Sequence, residues 1–311
     1  MTKIIHVAAG VVVNSDGHIL IARRPAASHQ GGLWEFPGGK LEDGESVQQA
    51  LVRELDEEIG ITSTCLEPLI QIRHDYPDKS VLLDVWRVTQ FEGDAHGKEG
   101  QPVKWVSPEA LNDFNFPAAN VPIVTAAQLP PVYLVSADEV SIEACVAKVQ
   151  SALDRGIRLL QLRQTQWSSD QWKAAVPDIL DRCRQVGARL ILNSPKGDVC
   201  ADGLHLTSAQ LMASDQPVAR AALRWVSAAC HSREQLLRAQ QRGVDFVCLS
   251  PVELTKTHPN ASPLGWDQFS SWVSDAKIPV FALGGMSDQT LPVACKSGAQ
   301  GVAGISAWWP N

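Results

Sequence analysis

The sequence predicts two domains: an α+β domain over residues 1–128, a mixed sheet sandwiched by helices, followed by a compact (β/α)8 TIM barrel over residues 131–311. Three observations predict this. The first third of the chain combines strand-like runs with one long acidic helix. Pro130 and Pro131 then mark a change of character. Beyond them, short apolar runs alternate with amphipathic stretches, the pattern of strands followed by crossover helices. A chain of 311 residues has enough length for two cores, and its 45% hydrophobic and 20% charged content is ordinary for globular domains.

Taken in order, residues 6–13 and 19–23 read as strands around the turn Asn14-Ser15-Asp16-Gly17, where Asp-Gly favours a tight hairpin. An acidic helix follows, then strand-like runs at 81–89 and 102–106. After the prolines, strands are predicted at 132–136, 159–163, 189–193, 203–206, 225–230, 246–250, 279–284 and 301–305, with helices between most of them, such as 232–242 and 288–297. About 180 residues is short for an eight-stranded barrel, so trimmed helices or loops are expected.

Composition excludes several classes. A formal net charge of −7 argues against nucleic-acid binding, which needs a basic footprint. No apolar run is long enough to cross a bilayer, and the first residues lead into a strand without the apolar stretch of a signal peptide. The seven cysteines contain no Cys-x-x-Cys pair, which leaves no zinc or disulfide framework to expect and makes a reducing cytoplasm the expected location. No sequence feature assigns an oligomeric state.

Chemistry concentrates at residues 39–61. Glu54, Glu57 and Glu58 stand at i, i+3 and i+4, so a helix would put three like charges on one face. That arrangement is unfavourable alone, and a hard divalent cation with a preference for oxygen turns it into attraction. Mg²⁺ is the expected cofactor, with Mn²⁺ as the alternative. The run matches every fixed position of GX5EX7REUXEEXGU, where U is bulky aliphatic, and so is identified as a Nudix box. Arg23-Arg24, Glu35-Phe36-Pro37-Gly38-Gly39-Lys40, Gly97-Lys98-Glu99-Gly100-Gln101 and Phe116-Pro117-Ala118-Ala119-Asn120 extend the match. Together they resemble the MutT branch of Nudix hydrolases over residues 4–125.

That resemblance implies a Nudix fold and hydrolysis of 8-oxo-dGTP to 8-oxo-dGMP and pyrophosphate. It implies a metal set of Glu54, Glu57, Glu58 and Glu99 with the carbonyl of Gly38, in which Glu54, Glu57 and Glu99 are also the catalytic carboxylates. Arg53 is expected to orient the box carboxylates and Glu45 to support the loop before the helix. Substrate contacts fall to Arg24, Phe36 and Asn120, whose amide can donate and accept at a purine edge. Trp34 departs from the MutT pattern and leaves the pocket lining open.

Residues 131–309 resemble thiamine-phosphate synthase and its TenI-type relatives, through Gln161-Leu162-Arg163, Gly203-Leu204-His205-Leu206, Cys230-His231-Ser232, Ala282-Leu283-Gly284-Gly285-Met286 and Gly301-Val302-Ala303-Gly304-Ile305-Ser306. Glycines after the last two strands suit a phosphate, the common use of that end of such barrels. Thr255, Thr257, Gly284, Gly285, Gly304 and Ser306 are the expected phosphate contacts, and thiazole phosphate the expected ligand. The resemblance also implies acidic metal ligands that this chain lacks: Ser194 and Gln210 stand where the synthase has aspartates, and Thr165 and His258 where it has lysines. Synthase activity is therefore not expected. His231 matches the proton-transfer histidine of TenI-type tautomerases, and imidazole suits that work near neutral pH. The alternatives are a pyrophosphate hydrolase of the thiamine pathway coupled to a tautomerase-like barrel, or a barrel that only binds.

Overall fold

The computed structural model describes residues 4–26, 30–76, 79–220, 223–255 and 262–310. Its chain divides into two compact units, Met1–Gln128 and Leu129–Asn311. In the first, the elements are β1 (Ile4–Val12), β2 (Ile19–Arg23), β3 (Trp34–Glu35), β4 (Gly38–Lys40), α1 (Val47–Glu54), a π-helical turn (Leu55–Ile59), β5 (Thr62–Asp75), β6 (Ser80–Glu92), β7 (Val103–Val106), 3-10 turns at Glu109–Asp113 and Ala118–Asn120, and α2 (Val121–Gln128). A four-stranded sheet runs β4-β1-β6-β5, and a three-stranded sheet runs β3-β2-β7. β1 lies parallel to β6 and antiparallel to β4, so the larger sheet is mixed, as expected.

Side-chain alternation explains why helices cover both faces. On β1 and β2, Ala8, Val12, Leu20 and Ala22 pack with Ala50, Leu51, Leu55 and Ile59 of the α1 side. Ala9, Val11, Ile19 and Ile21 pack with Ile123, Val124 and Ala126 of α2. Two expectations change. The turn after β1 forms, with Gly17 N–H donating to the Asn14 carbonyl at 2.9 Å and Asn14 Oδ1 accepting from the Asp16 and His18 amides. The strands it joins then part into different sheets after the single bridge Val13–Ile19, so no hairpin ladder forms. The fourteen-residue β5 was not legible in the sequence. It is an edge strand, half-exposed, with register shifts that accommodate Pro68.

The second unit contains β8 (Val132–Val135), α3 (Ile142–Asp154), β9 (Leu159–Leu162), α4 (Ser169–Gln185), β10 (Arg189–Asn193), β11 (Gly203–Leu206), α5 (Ser208–Met212), β12 (Trp225–Cys230), α6 (Arg233–Gln241), β13 (Phe246–Leu249), α7 (Gly265–Val273), β14 (Val280–Leu283), a 3-10 turn (Asp288–Thr290), α8 (Leu291–Lys296) and β15 (Gly301–Gly304). All eight strands are parallel and close into a barrel, β15 pairing with β8 through Val302–Val132 and Ala303–Tyr133. Tyr133, Leu159, Ile191, Trp225, Phe246, Cys248 and Phe281 fill its interior, with the rings of Phe246 and Phe281 each within 5.7 Å of a ring neighbour. A separate apolar layer, including Leu160, Ile179, Leu190 and Val247, joins the strands to the outer helices. After β15 the described chain forms a turn, Trp309 N–H donating to the Ile305 carbonyl at 2.8 Å, and no α-helix follows the last strand among the described residues.

Closure of the barrel depends on Gly301. A Cβ there would stand 2.0 Å from the Pro131 carbonyl oxygen, a clash of backbone with backbone that no rotamer relieves. Gly301→Ala is expected to destabilise the barrel by about 2–4 kcal/mol. Urea unfolding followed by tryptophan fluorescence measures this, and an unchanged midpoint for the barrel transition would contradict the role given to the seam.

Candidate active sites of the two domains

In the first domain the acidic residues are delivered by the end of α1. Ser46 starts that helix with a reciprocal capping box to Gln49. After Glu54 the helix widens into the π turn, which Gly60 ends at φ 74°. Such bulges redirect side chains and recur at functional sites. The three box carboxylates therefore do not lie along one regular α-helical face, as the spacing alone predicts. Glu58 turns inward and accepts a hydrogen bond from the Gly38 amide at 3.1 Å. Glu54 lies against Gly39, where a Cβ would come within 2.2 Å of its carboxyl group. Glu57 is exposed. Gly38 is equally constrained: its φ is 142°, and a Cβ would meet the Ala8 carbonyl oxygen at 2.2 Å.

Arg53 holds this set together. Its guanidinium pairs twice with Glu45, at 2.8 and 2.9 Å, and also reaches Glu54 at 2.9 Å and Glu57 at 3.2 Å. The two-pronged contact draws the Glu45 carboxyl down to about 2. Glu45 also accepts from the Glu42 amide, fixing the loop before α1. The Glu99 loop is tied to the same place, because Lys98 N–H and Gln101 Nε2 both donate to the Glu58 carbonyl, at 2.9 and 3.0 Å. Burial pushes the Glu58 carboxyl up to about 7; the Gly38 amide opposes this, and the charges of Glu54, Glu35 and Glu99 add to it.

These donors are all hard oxygens, and a cation would relieve their excess of negative charge, so their chemistry fits a divalent metal. Among the described residues, no three acidic, histidine or cysteine groups yet converge on one ion position, while Arg53 holds Glu54 and Glu57.

Of the residues expected to contact substrate, Arg24 forms an ion pair with Glu35. Asn120 ends a 3-10 turn, its amide N–H donating to Pro117, and its side chain is half-buried. Phe36 corrects an expectation: it is 3% exposed and stacks on Phe116 at 5.5 Å, so it belongs to the core beneath the site and presents no face to a base. Two residues were missed. Glu35 sits among the acidic groups that raise Glu58, and Tyr76 is close enough to feel the charge of Arg24 while hydrogen bonding to Gln30. A non-local contact links each to the site, and nothing in the spacing signals it.

At the carboxyl ends of the barrel strands, His231 is exposed, its Nδ1 3.0 Å from the Ser250 carbonyl and 3.2 Å from Ser250 Oγ. Neighbouring Cys230 is buried, facing the other way. Ser194 Oγ donates to Gln210 Oε1 at 3.5 Å, so the two positions expected to lack acidic ligands lie together. Thr165 donates to Asp138 through both its amide, at 2.5 Å, and its hydroxyl, at 2.9 Å. Gly284 and Gly285 have φ of 101° and 76°, and pass against Pro251, Glu253 and Thr255. Two expected phosphate contacts fare differently. Gly304 is covered by Trp308, whose ring a Cβ would approach to 2.9 Å, so it makes room for an indole. Ser306 is exposed in the closing turn after β15. Thr257 and His258 lie outside the described residues.

Comparison with known proteins follows this division. The NUDIX domain model matches residues 8–126, and the Thiamine monophosphate synthase model matches residues 132–308. Over 122 residues the chain is 43% identical to 8-oxo-dGTP diphosphatase of Escherichia coli (strain K12), covering 39% of this chain and 95% of that protein. It is 42% identical over 124 residues to CTP pyrophosphohydrolase of the same organism, covering 40% and 91%. Over 175 residues it is 33% identical to Thiamine-phosphate synthase of Synechococcus sp. (strain CC9311), covering 54% and 48%. The chain is thus a Nudix pyrophosphohydrolase by its first domain and a member of the thiamine monophosphate synthase family by its second.

Proposed function

We propose that the first domain hydrolyses 8-oxo-dGTP to 8-oxo-dGMP and pyrophosphate, with Mg²⁺ as its metal and Mn²⁺ as a substitute. The observation that carries this is the acidic set gathered on Gly38 and Gly39, with the Glu99 loop bonded to the Glu58 carbonyl. A bound divalent cation would shield the triphosphate and acidify a water. Glu54, Glu57 and Glu58, with the Gly38 carbonyl, would hold it. Glu57 leaves Arg53 to do so, which its exposure permits. Glu99, exposed and near Glu58, accepts the proton of the attacking water. Asn120 reads the purine edge and Arg24 the phosphates or sugar. The absence of a membrane-crossing helix among the described residues accords with a cytoplasmic nucleotide pool as its place of work.

Steady-state kinetics on 8-oxo-dGTP, dGTP and CTP test the substrate. The expected order puts 8-oxo-dGTP first by kcat/KM, with Glu57→Gln lowering kcat by about 10²-fold or more and Asn120→Ala narrowing the preference over dGTP. A preference for CTP, the substrate named for one relative, would replace this assignment.

The Glu58 carboxyl supplies a pH test. Its folded value, about 7, lies above the ordinary 4.5, so in metal-free protein its contribution to stability is full below 4.5 and is lost as pH rises through 7. Cation binding needs the carboxylate, so Mg²⁺ should raise the Tm of the first domain more at pH 8 than at pH 6. Glu58→Gln should flatten that difference. An equal Mg²⁺ shift at both pH values in the wild type would count against Glu58 as a ligand.

For the barrel we infer binding of a small phosphomonoester, with thiazole phosphate the first candidate, at Thr255, Gly284 and Gly285, and no synthase activity. The Ser194–Gln210 hydrogen bond supports this, because a neutral pair offers a pyrophosphate-bound cation no carboxylate. Full-length protein should gain thermal stability with thiazole phosphate and form no thiamine phosphate in a coupled assay. Synthase turnover would refute the assignment. Tautomerase activity abolished by His231→Ala would make the barrel an enzyme, and binding without activity would leave it a receptor.

A further inference from the structure

Glu35 lies outside the Nudix box, yet its charge acts on the Glu58 carboxyl. Strand alternation puts it there. Its neighbours Trp34 and Phe36 both turn to the opposite, apolar face, Trp34 edge-on to Phe114 at 5.2 Å and Phe36 stacked on Phe116. The backbone fixes the same place, since Glu35 pairs with Ala22 across β2 and β3, Arg24 N–H donates to the Leu33 carbonyl, and Trp34 N–H to that of Asn115. Burial raises the Glu35 carboxyl, and Arg24 opposes the rise by ion pairing. Arg24 in turn lies within reach of Tyr76.

A carboxylate set beside an acidic centre is unfavourable unless a cation holds it, and for stability alone an apolar pair serves as well. The arrangement makes sense if the cation is the useful part. We propose that Glu35 is the positioning residue of the nucleotide site: its carboxylate fixes the Arg24 guanidinium at the edge of the acidic centre, where it meets the phosphates of a nucleoside triphosphate. This rests on the hydrolase reading above. Without Glu35, Arg24 loses this ion pair and the orientation it sets, which weakens ground-state binding more than it slows chemistry. Glu35 is a support for Arg24 and not itself a metal ligand.

The test uses full-length protein, with E35Q, E35A, E35D, R24A and the E35Q/R24A double variant. KM and kcat are measured on the best wild-type triphosphate, and Mn²⁺ binding is titrated without nucleotide. E35Q, which keeps the side-chain shape, should raise KM about tenfold with kcat within about threefold, and E35D should recover part of the loss. The double variant should be no worse than R24A, because both changes break one unit. Mn²⁺ affinity should fall by much less than about tenfold, since Glu35 reaches the cation only through its charge on Glu58. Additive losses in the double variant, an unchanged KM in E35Q, or a tenfold weaker Mn²⁺ site would each overturn the proposal. Wild-type turnover is measured first: an inactive wild type overturns the hydrolase reading and this proposal with it, whereas an active wild type with an unaltered E35Q overturns the proposal alone.

Discussion

Glu54, Glu57 and Glu58 repel one another, and much of the first domain's local structure serves to contain that repulsion. Two carboxylates about 4 Å apart repel by roughly 4 kcal/mol at an effective dielectric of 20, against about 1 kcal/mol supplied by a good helix cap. The Ser46 capping box alone could not hold such a helix end together. Arg53 compensates by contacting Glu45, Glu54 and Glu57 at once, and Glu45 anchors Arg53 without standing in the box's acidic face. The π turn separates the carboxylates further, sending Glu58 inward to Gly38 while Glu57 stays exposed. Gly38 and Gly39 follow from the same constraint. Side chains there would collide with the Ala8 backbone and with the Glu54 carboxyl.

This explains which features the sequence could announce. Barrel strands β10, β11 and β12 fall where the apolar runs 189–193, 203–206 and 225–230 predict them, because a strand buried on both faces writes itself as a continuous run. The edge strand β5 carries no such run, being half-exposed and broken around Pro68. Asp16-Gly17 specifies a turn but not the partner of each strand, and here β1 finds β6 while β2 finds β7. The box gives the identities of its carboxylates through fixed spacing. It cannot give the π turn, since an α-helix and a π turn thread the same residues. Glu35 was invisible for a related reason: an acidic residue between two aromatics reads as ordinary strand alternation, and its partner Arg24 follows the end of the neighbouring strand β2.

Two histidines in the barrel show how burial decides what a residue type can do. His205 points into the sealed interior, 2.8 Å from Ser227 Oγ, which also lies 3.4 Å from the Tyr133 hydroxyl. Burial drives its imidazole down to about 3, so it stays neutral at any physiological pH and acts as a polar strut within an aromatic core. His231 sits at the open end beside Ser250, where a ligand can reach it. Both lie in segments that resemble the same family, and the sequence does not separate them. Exposure does: of the two, only His231 is open to solvent.

The two domains treat acidic charge in opposite ways. In the first, carboxylates accumulate until burial and mutual repulsion hold Glu58 near neutrality, a state that calls for a cation. In the second, the positions where the family resemblance implies metal-binding aspartates carry a hydroxyl and an amide that satisfy each other, Ser194 donating to Gln210. Gln210 is also committed elsewhere, its backbone N–H bonded to Thr207 Oγ1 and its Oε1 accepting from the Thr207 amide in the capping box that starts α5. Restoring one carboxylate at 194 would therefore not rebuild a cation site, because its partner is held by the helix start as well as by chemistry. The glycines after β14 are untouched by this change: Gly284 and Gly285 hold φ of 101° and 76° against Pro251, Glu253 and Thr255. The departure from the family pattern at 194 and 210 thus falls on the positions expected to be acidic and not on these glycines.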